Sequence, residues 1–153
     1  MARLEDIPEP TRTAVRDLPC PAFDTSPFVS GPALSKRRVA IVSSAALIHR
    51  GDKPFPVGSP EYRAVPDSWR PADILISHVS INFDRAGFQR DINVVHPVER
   101  LHELAAEGVI GSVAQTHYSV MGSTDPAEMS ASADAIAAAL QADNVDAVVL
   151  CPV

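Results

Sequence analysis

A thiol, two histidines and several short polar residues follow apolar runs in this chain, and these are the groups best placed to do chemistry. Cys151 ends the run DAVVL (146–150). A thiol at a strand end that leads into a helix N-terminus feels the positive end of the helix dipole, which favours the nucleophilic thiolate. Its other reading is a small hydrophobe in a core strand. His78 follows DILIS (73–77) and His117 follows VIGSVAQT (109–116). An imidazole in either place can take or give a proton near neutral pH. A single histidine is equally read as a hydrogen-bonded structural residue, and His102, inside a helical pattern, is read that way. Asp91 and Asn93 can hold a ligand, but Asx side chains also bond to nearby backbone and shape turns.

The elements that must position these groups alternate. VAIVS (39–43), DILIS, VIGSVAQT and DAVVL read as four short strands buried on both faces. Residues 49–72 read as a polar, proline- and glycine-containing loop. Pro97 suits a first helical position, VERLHELAAE (98–107) carries apolar residues at helical spacing, and Gly108 supplies a left-handed stop. Asp125, Pro126 and Glu128 form a cap, a first-turn proline and a capping-box acid ahead of the alanine-rich stretch that ends at Leu140. Strands alternating with helices imply an open three-layer α/β domain with a mainly parallel sheet, flavodoxin- or Rossmann-like in broad terms. Ligands in such sheets collect beyond the carboxyl ends of the strands. Four sets of polar groups are expected to meet there. They are Ser43, Ser44 and His49; Ser77, His78, Asn82 and Asp84; His117, Tyr118, Ser119, Gly122 and Ser123; and Cys151.

Residues 1–36 hold Pro8, Pro10, Pro19, Pro21, Pro27 and Pro32. Proline fixes φ and removes a backbone donor, so this stretch reads as an irregular, extended arm before an α/β domain over 37–153. A partly disordered tail is the alternative reading.

Charge and composition exclude several function classes. The 153 residues carry a formal charge of −6 and no basic face, which gives nucleic-acid binding no support. No apolar run approaches the roughly 20 residues needed to span a bilayer, and Met1–Asp6 carries acids where a signal peptide needs basic and apolar segments. Two cysteines make no disulfide framework and suit a reducing, cytoplasmic setting. H-E-x-x-H and H-x-x-x-H pairs are absent, so no metal site is expected. G-x-G-x-x-G, the P-loop and G-x-S-x-G are absent too.

Three stretches carry a resemblance: RVAIVSSAALIHRGDKPF (38–55), ADILISHVSINFDRAGFQRDINVVHPVERLHELAAEGVIGSVAQTHYSVMGS (72–123) and VDAVVLCPV (145–153). They resemble the selenoprotein B family of glycine, sarcosine, betaine and D-proline reductases, above all its D-proline branch. The resemblance implies a redox subunit that cleaves a carbon–nitrogen bond alpha to a carboxylate. It implies a small amino-acid-like substrate, a second reductase subunit that can carry a pyruvoyl group, and a dithiol or thioredoxin-like electron donor. In the family a selenolate, or a thiolate in non-selenium members, attacks the alpha carbon and a thiol then releases the product. Aligned on VDAVVL, that selenocysteine or cysteine would directly follow Val153, and the sequence reads as stopping before it. Cys151 would then stand three positions ahead, spaced as in a C-x-x-C redox pair, though many relatives lack a cysteine there.

In this scheme His78 or His117 would protonate the leaving nitrogen, and Asp84, Asp91 and Asn93 would orient substrate or loop. Ser119 and Gly122 join them as substrate-binding candidates. The segment between His78 and Asp84 is longer than in the D-proline branch, so the substrate need not be proline. Two rival readings remain: a non-catalytic binding or assembly subunit, and a thiol enzyme using Cys151 itself.

Overall fold

The computed structural model describes residues 3–19, 22, 24–80 and 85–153. Asp84 and Asn82 therefore lie outside the described residues, as does Cys20.

The central strand is β1 (Arg38–Ser43). Apolar on both faces, it has Val39, Ala40 and Ile41 buried almost completely. Strand β7 (Ala147–Cys151) runs parallel along one edge of it, with Val39 opposite Ala147 and Ser43 opposite Cys151. The other edge is shared. Strand β5 (Ser112–Val113) pairs in parallel with the start of β1, and β6 (Thr116–Val120) pairs in parallel with its end. The register slips by two residues between them, because the chain from Val113 to Tyr118 holds two more residues than β1 does opposite it. Strand β3 (Tyr62–Pro66) pairs antiparallel with β6 and closes that side. This is a mixed α/β fold with a mostly parallel sheet.

Three expectations are corrected here. The expected loop 49–72 contains β3. Its Val65 is buried while Ala64, on the opposite face, is exposed, and Pro66 is tolerated because β3 is an edge strand. The DILIS run does not join the main sheet. Only Ile74–Ile76 (β4) is strand, and it pairs antiparallel with β2 (Leu47–His49) in a separate ribbon. The chain leaves the main sheet at Ala46, whose positive φ of 54° turns it out of line with β1. The third expected strand, 109–116, is two: β5, and then β6, which contains His117, Tyr118 and Ser119 rather than preceding them.

The N-terminal stretch is not wholly irregular either. Helix α1 (Thr11–Arg16) occupies six residues between Pro10 and Pro19, and the amide that Pro10 lacks would have made no intrahelical bond at the helix start. A second short helix, α2 (Ala86–Arg90), was not foreseen.

The two long helices sit as their sequence signals require, on opposite faces of the sheet. Helix α3 (Val98–Ala106) packs Val98 and Leu101 on Val39, Ile41 and Ile110. Pro97 stands one residue before it rather than at its first position. Gly108 ends it with φ +73°, letting the amides of Gly108 and Val109 reach Ala105 and Leu104. Asp125 accepts the Ala127 amide ahead of a tight 3-10 turn (Pro126–Met129) that continues as α4 (Ser130–Ala142). Among the described residues no helix is long and apolar enough to cross a membrane.

Packing is uneven. On the α4 side, Val42, Val120, Met129, Leu140, Val148 and Leu150 line an open groove of about 870 Å3. Leu150 is 72% exposed, and β7 has a neighbour on one edge only among the described strands. An exposed apolar edge strand templates association. The isolated 153-residue chain should elute above monomer mass in sizing experiments at micromolar concentration. Leu150→Lys, which puts a charge on the exposed apolar face of that edge strand, should shift it towards monomer.

Candidate functional site

The carboxyl ends of β1, β6 and β7 meet at Ser44. Its amide donates to the Cys151 carbonyl at 3.1 Å, and its own carbonyl accepts the Gly122 amide at 3.0 Å. Its hydroxyl accepts the Val153 amide at 2.8 Å. One residue thus holds the exits of three parallel strands. Beside it, the fully buried Ser119 donates to the Ser43 carbonyl at 2.9 Å and accepts the Leu47 amide at 2.8 Å. Its only proton is committed inside the fold, so Ser119 shapes the edge and does not present a donor at it.

His78 leaves β4 and returns over the same edge. Ser77 anchors the approach, its amide donating to the Ala46 carbonyl and its hydroxyl accepting the Phe55 amide. The imidazole is almost fully buried, and Nδ1 accepts the Ser80 amide at 3.2 Å. A ring nitrogen that accepts an N–H carries no proton, so the neutral ring holds its proton on Nε2. That nitrogen faces Gly122. A Cβ built there would lie 3.0 Å from His78 Nε2 and 2.8 Å from the Ser44 carbonyl oxygen. Glycine is required because ring and backbone already occupy that space. Burial pushes the His78 pKa down, and the nearby Arg85, which donates to the His78 carbonyl at 2.9 Å, acts in the same direction.

Cys151 is half-buried, with its side chain packed towards the α3-side core. Burial pushes the thiol up, the opposite of the thiolate stabilisation expected from a helix N-terminus.

His117 lies elsewhere. Its fully buried ring fills the bulge between β1 and β6, where Nδ1 accepts the Ile41 amide at 3.0 Å. Ile41 stands two residues before Ser43, about 7 Å inward from the strand end. His117 Nε2 is 3.6 Å from Asp67 Oδ1, and its ring meets that of His96 edge-on at 5.2 Å. Desolvation lowers the His117 pKa, with Asp67 acting against it. His96, also buried, is pushed down to about 4, chiefly by desolvation and then by His117. Asp67 continues the cluster outward to the exposed His102, at 2.8 Å from Nε2.

Asp91 and Asn93 bond to each other. Asp91 Oδ1 accepts the Asn93 amide at 2.9 Å and its Nδ2 at 2.8 Å, while Nδ2 also reaches Glu99. They build the turn that leads to α3. Among the described residues no group of three or more His, Cys, Asp or Glu is placed to hold a metal ion.

The sequence therefore located His78, Gly122, Ser44 and Cys151 on one edge, and the structure brings those four together. It separates His117, Asp91 and Asn93 from them. His96 and Asp67 were missed: the first precedes Pro97 with no periodic pattern around it, and the second lies in the stretch read as loop.

Residues 71–153 match the family model for glycine/sarcosine/betaine reductase selenoprotein B. The chain is 33% identical over 142 residues to the glycine reductase complex component B subunit gamma of Carboxydothermus hydrogenoformans, covering 88% of this chain and 32% of that protein. It is 31% identical over 120 residues to the D-proline reductase subunit gamma of Acetoanaerobium sticklandii, covering 76% of this chain and 49% of that one. The chain thus spans about a third of the length of the first relative and about half that of the second. No solved structure matches it. A matched region that takes in β4, α3, β6, α4 and β7 together identifies the chain as a member of the glycine/sarcosine/betaine reductase selenoprotein B family.

Proposed function

We propose that this chain forms the N-terminal part of a selenol- or thiol-dependent reductase subunit that cleaves a carbon–nitrogen bond in an amino acid or related small acid. The observation that carries the reading is the convergence of three parallel strand exits on Ser44, with His78 and Gly122 against it. Both named relatives are subunits of amino-acid reductases. In the working protein a selenocysteine or cysteine directly follows Val153. That residue supplies the nucleophile and, with a thiol, the electron pair that an external dithiol or thioredoxin-like donor restores. A second subunit, carrying a pyruvoyl group in the D-proline case, holds the substrate amine. The setting is cytoplasmic.

The residues of this chain take three roles. His78 offers a neutral Nε2–H as a hydrogen-bond donor to the substrate carboxylate. Protonating a leaving nitrogen would require an imidazolium, which means giving up the Ser80 bond against a depressed pKa. Cys151 serves as the resolving thiol of a C-x-x-(U/C) pair. A resolving thiol tolerates a raised pKa better than an attacking one, so burial argues against Cys151 as the primary nucleophile. Gly122 keeps the space that lets His78 and Ser44 approach.

The exposed β7 edge favours one further reading, an assembly subunit that uses this edge to hold its partner. Sequencing the codon after that of Val153 in the source gene separates the two. A UGA within an open frame, or a cysteine codon, is expected. Any other sense codon removes the nucleophile and leaves the assembly reading.

A further inference from the structure

We propose that Ser44 is a positioning residue for the β7-terminal segment Cys151–Val153, and so for the redox residue placed after it; the inference rests on the functional reading above. Ser44 continues β1 and bonds to the exits of β6 and β7. Its backbone bonds to Cys151 and Gly122 depend on the fold and survive substitution, whereas the bond from the Val153 amide depends on the hydroxyl. Pro152 has no amide, so Val153 offers the first donor beyond β7, and Ser44 Oγ is what holds it.

The turn that carries Ser44 is itself held hard. Ala45 accepts no freedom: its amide bonds to Ser43 Oγ at 3.3 Å, and it bridges to Met121. Ala46 sits at φ +54°, a left-handed conformation that costs an L-residue free energy. The Ala46 amide donates to the Val120 carbonyl, its carbonyl accepts the Ser77 amide, and Ala45, Ala46 and Leu47 are fully buried. A strained turn persists only where its surroundings over-determine it. Here the surroundings are the β6 exit and the approach to His78. Ser44 therefore presents its hydroxyl from a fixed platform, and the platform is shared with the groups that face the substrate.

The test uses Ser44→Ala and Ser44→Thr, with the remote Ser132→Ala as control. Hydrogen exchange at the Val153 amide and the pH profile of Cys151 alkylation by iodoacetamide are read alongside the thermal midpoint. Loss of one hydrogen bond should raise opening of the β7 end about fivefold. In Ser44→Ala, Val153 exchange should quicken by that factor and the Cys151 profile should move to lower pH as the thiol gains water. Ser44→Thr keeps an oxygen at the same place and should restore both; Ser132→Ala should change neither. Unaltered exchange and an unaltered profile in Ser44→Ala would overturn the proposal, whatever the full-length protein does. If both respond as expected while no form of the full-length protein reduces an amino acid, the clamp stands and the functional reading falls.

Discussion

In the full-length protein assembled as the proposed reductase, His78→Phe should lower kcat for reductive cleavage by about 100- to 1,000-fold, the usual loss for one preorganised donor. Phenylalanine fills the ring volume over Gly122 but offers no N–H. His78→Gln, which retains an amide donor, should recover part of the loss. The pH dependence separates donor from acid. A histidine that had to be protonated would make kcat fall as pH rises through its pKa, which burial and Arg85 set below the ordinary value. A neutral donor gives a rate that shows no such fall from pH 6 to 8. Steady-state kinetics of both variants across that range would decide, and a His78→Phe enzyme with parental kcat would remove His78 from the site.

Acidification should weaken the fold through the second histidine cluster. His96 has a folded pKa of about 4 against an ordinary 6.5. Between those values the unfolded chain binds the proton that the folded chain refuses, so stability is complete above pH 6.5 and declines as pH falls towards 4. The difference corresponds to about 3 kcal/mol. His117 is shifted in the same direction and adds to it. Its protonation would also place a second donor opposite the Ile41 amide, which now donates to Nδ1. The carboxylates of Asp73 and Asp91, held low by bonds from Arg70 and Asn93, lose their contribution only at still lower pH. Urea unfolding at pH 7 and pH 4.5 should show the loss. His96→Phe keeps a ring edge-on to His117 and should flatten the pH dependence, whereas an unchanged slope would show that His96 is not the buried base.

How far this was legible in the sequence follows from the range of each interaction. Strands β1 and β7 and helices α3 and α4 were readable because their signals are local: apolar runs, Gly108, and the Asp125 cap. The DILIS run was equally plain as a strand, but nothing in it reveals which strand it joins. That choice is made by the backbone of Ala46, thirty residues upstream. His117 was placed at a strand end because a two-residue bulge cannot be counted from an apolar pattern. At the candidate site, His78, Gly122 and Cys151 were singled out individually. Ser44 was placed on the same edge, but its role as the hub that joins them was not readable, since its bond to Val153 spans 109 positions. Spacing arguments reach only a few residues, and this site is built from contacts between segments that are distant in sequence.

The proposed function requires the redox pair to form at the β7 exit. Air-oxidised full-length protein, digested without reduction and examined by mass spectrometry, should yield a peptide in which Cys151 is linked to the residue directly after Val153, with mass two hydrogens below the reduced form. Cys151 recovered free and fully alkylatable from the oxidised protein would contradict it.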